Sequence, residues 1–187
     1  MRIFIAARIP DPIREGLSRL QSSLTDEGLR HIRWVRSSGV HLTLRFCGEI
    51  SPRLLEQLSD ELAPGAPFPP FETRLTRLGV FPKRGAPRVL FVGLEDAGAL
   101  LSLADWIEKR VRATGLPPES RPFHPHLTLG RFLPGAQPIP LAANPLPPDL
   151  EGASLPVDSF TLFQSHLASR GASYEALREY PLDGVAE

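Results

Sequence analysis

His41-Leu42-Thr43-Leu44 and His126-Leu127-Thr128-Leu129 write the same four residues twice. On an extended strand, residues two apart share a face. Each copy therefore sets an imidazole beside a hydroxyl on one side and two leucines on the other. One His-x-Thr is ordinary strand composition, but packing does not ask for two copies at matching points. Two imidazoles around one point suit a reaction that needs a base and an acid together. His titrates near neutrality, so one ring can be neutral while the other is charged. Thr hydroxyls donate hydrogen bonds to oxyanions without adding charge, and a nearby Arg stabilises charge gathering on phosphoryl oxygens. This inventory fits metal-free cleavage of a phosphodiester better than acyl transfer. There is no G-x-S-x-G elbow, and Cys47 is the only Cys available as a nucleophile.

Arg131 follows His126 by five residues. On a regular strand an odd offset points to the opposite face, so Arg131 reaches the imidazole only through a bulge or kink. Gly130, immediately before it, could permit one. Phe46 holds the same offset after His41. An aromatic beside a phosphate can stack a nucleobase, worth ~1–3 kcal/mol per base. Phe46 and Trp34 are thus candidates for contact with a base or ribose, with core packing as the alternative for both. His124 and His126 form an HPH pair, but no third His or carboxylate follows at metal-ligand spacing. Arg84 and Arg88 flank a Pro-Gly-rich loop that could hold an extended polyanion or simply lie in solvent.

These residues need two strands brought side by side, and the chain supplies them in matched order. Met1 to Ile9 reads as a buried strand. Asp11-Pro12 starts a helix with Asp as N-cap, its apolar stripe of Ile13, Leu17, Leu20 and Leu24 ending near Gly28. A short strand at Arg33 to Val35 precedes the strand Val40 to Phe46. Ser51-Pro52 opens a second helix running to about Leu62. Phe71 to Val80 is a further strand candidate. The second half then repeats the plan. Arg88 to Leu94 is an apolar strand, Asp96 caps a helix that Gly115 ends, and His126 to Leu133 is a strand. Val157 to His166 and Tyr174 to Tyr180 close the chain as a hairpin around Ser169-Arg170-Gly171. A shift of 85 residues lays Phe4 on Val89 and His41 on His126. Little else is identical, so architecture is repeated rather than sequence.

The bulk composition sets limits. A chain of 187 residues makes one large domain or two closely packed lobes. Net charge is zero, so no global field draws nucleic acid or membrane, and any polyanion must be gripped by a local cluster. All basic residues but Lys83 and Lys109 are Arg, a bias that fits a GC-rich genome or a thermophile. Prolines cluster at 64 to 70 and 134 to 156 as stiff loops. A single Cys excludes an intramolecular disulfide and a Cys-based zinc cage. No apolar run approaches ~18 residues, and no signal peptide precedes the first strand, so a cytoplasmic location is expected.

The paired motifs HLTLRF and HPHLTLGR resemble those of the two-histidine (2H) phosphoesterase superfamily. Within it, the chain most resembles the RNA 2',3'-cyclic phosphodiesterases, also called 2'-5' RNA ligase-like proteins. The likeness runs nearly end to end. MRIFIAARIP resembles the family's opening strand, IRWVRSSGVHLTLRFCGEI its first motif region and LGVFPKRGAPRVLFVGL its central segment. RPFHPHLTLGRF resembles the second motif and SFTLFQSHLASRGASYEAL the closing hairpin. The resemblance implies an α+β, bilobal, pseudo-twofold fold, two antiparallel-type sheets lining a central cleft with helices outside, in a single bilobal domain over 1–187. It implies that the ribose cyclic phosphate is opened to a 2'-phosphomonoester, with His41 as general acid to the leaving 3'-oxygen and His126 as general base for water. Thr43, Thr128 and Arg131 then bind the phosphate, and neither metal nor cofactor is expected. The partner is RNA or a nucleotide with a 2',3'-cyclic phosphate end, met by a monomer away from membranes. A 2'-5' ligase or 2'-5' phosphodiesterase on the same residues, and a non-catalytic RNA-end binding module, are the alternatives.

Overall fold

The computed structural model describes residues 1–95, 98–136, 146–168 and 171–184. In chain order its elements are β1 (Arg2–Ala7), α1 (Asp11–Asp26), β2 (Ile32–Trp34), β3 (Leu42–Glu49), α2 (Pro52–Leu62) and β4 (Phe71–Phe81). There follow β5 (Val89–Leu94), α3 (Gly98–Ala113), β6 (His126–Phe132), β7 (Ser154–Val157), β8 (Ser159–Ala168) and β9 (Gly171–Pro181). Local chemistry sets most boundaries. Ser51 Oγ accepts from the Leu54 amide and caps α2. Gly28, at φ +99°, ends α1, and the Leu29 amide reaches back to the Leu24 carbonyl at 2.9 Å. Gly115, at φ +87°, lies just past α3.

Three expectations need correction or lie elsewhere. Asp11 is the first helical residue and not the cap. Its carboxylate bonds Arg14 one turn on, and the cap position is Pro10, with no side-chain bond. The strand expected from Val157 to His166 is split at Asp158 into β7 and β8, which join different parts of the sheet. The expected Asp96 cap and the turn residues Ser169 and Arg170 lie outside the described residues.

The strands form one nine-stranded sheet in the order β7-β4-β5-β6-β3-β1-β8-β9, with β2 added to β6. It has two halves. β4 to β7 come from one continuous stretch, whereas β1 and β3 are completed by β8 and β9 from the far end of the chain. The halves meet at a single pairing, Leu42 opposite Leu127. One residue, Asp158, separates β7 at one end of this order from β8 near the other, so the sheet must curl back on itself. The helices cover the face carrying Ile3, Ile5, Leu42, Leu44, Leu90, Val92, Leu127 and Leu129. These join Leu17 and Leu20 of α1 and Leu103 and Ile107 of α3 in one core.

The 85-residue shift is a hydrogen-bond register. In the first half Phe4, Ile5, Ala6 and Ala7 pair with Phe46, Arg45, Thr43 and Leu42. In the second, Val89, Leu90, Phe91 and Val92 pair with Arg131, Gly130, Thr128 and Leu127. Each pair maps onto its counterpart by adding 85. Both ladders skip one residue at the same point, Leu44 in β3 and Leu129 in β6. This is a β-bulge, which adds a residue on one strand and changes the side-chain phase beyond it. The burial pattern records the change: Leu44 with Arg45, and Leu129 with Gly130, are consecutive buried residues. Phe46 and Arg131 consequently return to the face of the histidines.

Gly130 is not what allows the bulge, because Arg45 occupies the equivalent place. The glycine is there for space. A Cβ on it would lie 2.7 Å from Ile32 Cδ1 and 3.1 Å from the Trp34 ring. In the second half, β2 pairs alongside the bulge, and Gln21 of α1 donates to the Leu129 carbonyl at 2.9 Å. The matching segment of the first half contains Pro117 and Pro118, which have no N–H to give a ladder. Arg45 fastens it instead. Its Nη2 donates to the Pro117 carbonyl at 2.6 Å and its Nε to Glu108 of α3 at 2.5 Å, with Glu119 3.8 Å away.

Candidate active site

Two antiparallel strands paired at Leu42 and Leu127 put their flanking residues on the opposite face from the leucines. Extending that register by one residue sets His41 across from Thr128, and Thr43 across from His126. Each imidazole thus faces the hydroxyl of the other motif. The two histidines thus occupy a diagonal of this pairing, within reach of one another's long side chains. The bulges then bring Phe46 and Arg131 to this face.

Both rings are held by the same device. His41 Nδ1 donates to the Gly39 carbonyl at 2.8 Å, and His126 Nδ1 donates to the His124 carbonyl at 2.7 Å. Gly39 and His124 are again 85 apart. Fixing Nδ1–H leaves each Nε2 as the reacting nitrogen, an acceptor when the ring is neutral and a donor when it is charged. The HPH pair therefore works through the backbone of His124.

Aromatic rings wall both histidines, though with different residues. Phe4 stacks on His41 at 4.8 Å, and Tyr174 of β9 meets it edge-on at 5.1 Å. His126 is flanked edge-on by Phe81 at 5.2 Å and Phe91 at 5.3 Å, and those two stack on each other at 4.3 Å. Burial, above all, drives the His41 pKa down to about 4 against the raising effect of the Gly39 bond. The His126 ring and Arg131 push it the same way. His126 is lowered by burial first, opposed by its bond to the His124 carbonyl and assisted by the His124 ring and Arg131. That Arg131 acts on both rings, and one ring on the other, places all three in one electrostatic neighbourhood.

Of the residues singled out by sequence, His41, Thr43, Phe46, His126, Thr128 and Arg131 come to this face. Phe46 is 47% exposed and lies 6.0 Å from Phe4, the ring that stacks on His41. Trp34 is turned to the helix side, where its Nε1 donates to Thr25 of α1 at 3.0 Å and its ring packs over Gly130. Sequence reasoning passed over Phe4, Tyr174, Phe81 and Phe91. The alternation in MRIFIAARI held the signal for Phe4, which must point away from Ile3 and Ile5.

Gly79 of β4 is a further support that composition does not reveal. A Cβ there would come within 2.3 Å of Phe91, whose ring is already stacked against Phe81 and touches His126. Gly79→Ala is expected to destabilise the protein by about 1–3 kcal/mol, read from the denaturant midpoint. Turnover measured well below that midpoint should also fall, because the displaced ring presses on His126. Unchanged activity and stability together would show that Phe91 moves freely.

Known proteins resemble this chain over most of its length. The model of the LigT-like phosphoesterases matches the chain twice in succession, over residues 8–91 and 92–174. An RNA 2',3'-cyclic phosphodiesterase of Aeropyrum pernix is 36% identical over 166 residues, covering 87% of this chain and 93% of the relative. A solved structure from Thermus thermophilus superposes with a TM-score of 0.84 at 32% identity, covering 98% of this chain and 99% of the other. Escherichia coli LigT complexed with 3'-AMP gives a TM-score of 0.79 at 29% identity, covering 97% of each chain.

Proposed function

The chain belongs to the LigT-like phosphoesterase family, and from that premise we propose that it hydrolyses 2',3'-cyclic phosphate ends of RNA or nucleosides. The observation that carries the reading is the pair of histidines, each tied through Nδ1 and each beside the one pairing, Leu42 with Leu127, that joins the two motifs. The cyclic phosphate sits between the rings. His126 Nε2 takes a proton from water as its oxygen attacks phosphorus. The bond from phosphorus to the 3'-oxygen breaks, and protonated His41 delivers its Nε2 proton to that oxygen. The products are a 2'-phosphomonoester and a free 3'-hydroxyl. Thr43 and Thr128 donate to the non-bridging oxygens, and Arg131 offsets the charge that gathers there. Phe46 is open to stack the terminal base.

Acid and base are chemically the same group, so the bound anion must help to separate them. In the free protein Arg131 and the partner imidazole disfavour a proton on His41. A phosphate between them attracts that proton and raises its pKa. Neither half holds both histidines, so the reading requires one bilobal domain acting as a unit. We place it in the cytoplasm as a monomer; among the described residues no helix is long and apolar enough to cross a membrane.

The test is incubation with a 2',3'-cyclic nucleotide, with and without EDTA, and identification of the phosphomonoester isomer. Turnover to the 2'-phosphate in EDTA is the expected result. A 3'-phosphate product would reverse the assignment of the leaving oxygen, and loss of turnover in EDTA would overturn the metal-free route.

A further inference from the structure

The stretches that carry the two His-x-Thr strands and their neighbours β2, β4 and β5 are free of negative charge. The stretches Gly28–Gly48, Thr73–Leu94 and Ser120–Pro148 contain eleven of the 21 basic residues and none of the 21 acidic ones. These stretches supply β2, most of β3, most of β4, and β5 and β6. The net charge of zero conceals this segregation.

Register concentrates the charge further. Arg33 of β2 pairs directly with Arg131 of β6, and Arg131 in turn with Val89. Paired residues of an antiparallel ladder share a face. Ile32 and Trp34, on either side of Arg33, pack against Gly130 on the helix side, so Arg33 points to the site face with Arg131. Like charges directly opposite are destabilising. Among the described residues, neither guanidinium has a carboxylate partner. The β4–β5 loop, carrying Lys83, Arg84 and Arg88, starts where Phe81 pairs with Val89 in this same row. Arg33 and Arg131 thus stand side by side on the site face, with the cations of the β4–β5 loop on the other flank of Arg131. Successive phosphates of a nucleic-acid strand are anions that such a pair can neutralise.

We propose that Arg33 binds the phosphate one nucleotide upstream of the cyclic end, so that this site prefers an oligonucleotide terminus to a mononucleotide. The inference rests on the proposed phosphodiesterase reading for which end sits at the histidines. Arg131 takes the terminal phosphate and Arg33, its direct cross-strand neighbour, the next. A mononucleotide 2',3'-cyclic phosphate has no second phosphate and gains nothing from Arg33.

Two measurements on the full chain test this. The first compares kcat/KM for a 2',3'-cyclic mononucleotide and for a tetranucleotide ending in the same cyclic phosphate. Arg33→Gln is expected to cut the preference for the tetranucleotide by about 5–30-fold. Arg53→Gln, which removes an exposed charge on α2, should keep that preference. The second measures binding of a fluorescent tetranucleotide ending in a 2'-phosphate, across a salt series. Arg33→Gln is expected to weaken it and to make the salt slope shallower by ~0.7. Equal losses on both substrates, or no loss of binding, would overturn the role of Arg33. If the wild-type chain turns over neither substrate, the phosphodiesterase reading fails, while the binding series still decides whether Arg33 holds a phosphate.

Discussion

His41→Gln and His126→Gln are each expected to lower kcat/KM on a 2',3'-cyclic nucleotide by ~10²–10⁴-fold. The double variant should lose little more than either single one, because acid and base serve the same bond change. Glutamine keeps a polar side chain of similar reach but neither takes nor gives a proton. A loss of less than tenfold in either variant would remove that histidine from the acid–base pair. Folding provides an independent check on His41. Its folded pKa is about 4, against 6.5 for the free side chain. Between those values the unfolded chain holds more protons, so the histidine's contribution is complete above pH 6.5 and lost as pH falls toward 4. His41→Gln should therefore flatten the fall of Tm over that window while turnover drops as stated. Such a result separates a chemical role from mere support of the fold.

Arg131→Gln should cost ~10²–10³-fold in kcat/KM, the usual effect of removing a donor aimed at transition-state charge. It should also move the pH profile. The kcat/KM profile reports the free enzyme's acid and base. With His41 at about 4 and His126 below its ordinary value, the wild-type optimum should fall on the acid side of pH 6.5. Arg131 holds both imidazoles down, so its removal shifts that optimum upward. The kcat profile of the wild type should lie at higher pH than its kcat/KM profile, because a bound phosphate raises both pKa values. An optimum above pH 7 for wild-type kcat/KM, or the same optimum in the variant, would break the link between Arg131 and the histidines.

The duplicated motif was legible because its information is local. His-Leu-Thr-Leu carries its own alternation, and a constant shift of 85 is visible without knowing which strands pair. The bulge was half legible: the odd offset of Arg131 demanded one, but the same bulge at Leu44 and Arg45 has no glycine to announce it. Arg45 escaped attention for a different reason. Its partners Glu108, Pro117 and Glu119 are distant in sequence, and a buried Arg reads like any exposed one until they are known. Asp158 was missed because continuous β-propensity hides a change of sheet position. The aromatic walls sit on β1, β4, β5 and β9, and only the curled sheet shows which ring meets which histidine.

The uneven make-up of the two halves has a consequence for how the molecule is made. β4 to β7 are contiguous in the chain and can pair as soon as that stretch has been synthesised. β1, by contrast, can pair early with β3 on one edge, but its other edge must wait for β8, since Phe4 lies opposite Phe163. Pairings so distant in sequence form slowly, because the loop must close before any contact rewards it. During translation the His126 half-site therefore matures first, and the His41 half-site is finished last. Tyr174, the edge-on wall of His41, arrives on the final strand. A nascent chain thus carries His41 from early on, but its aromatic surround is complete only when the last strand has joined the sheet.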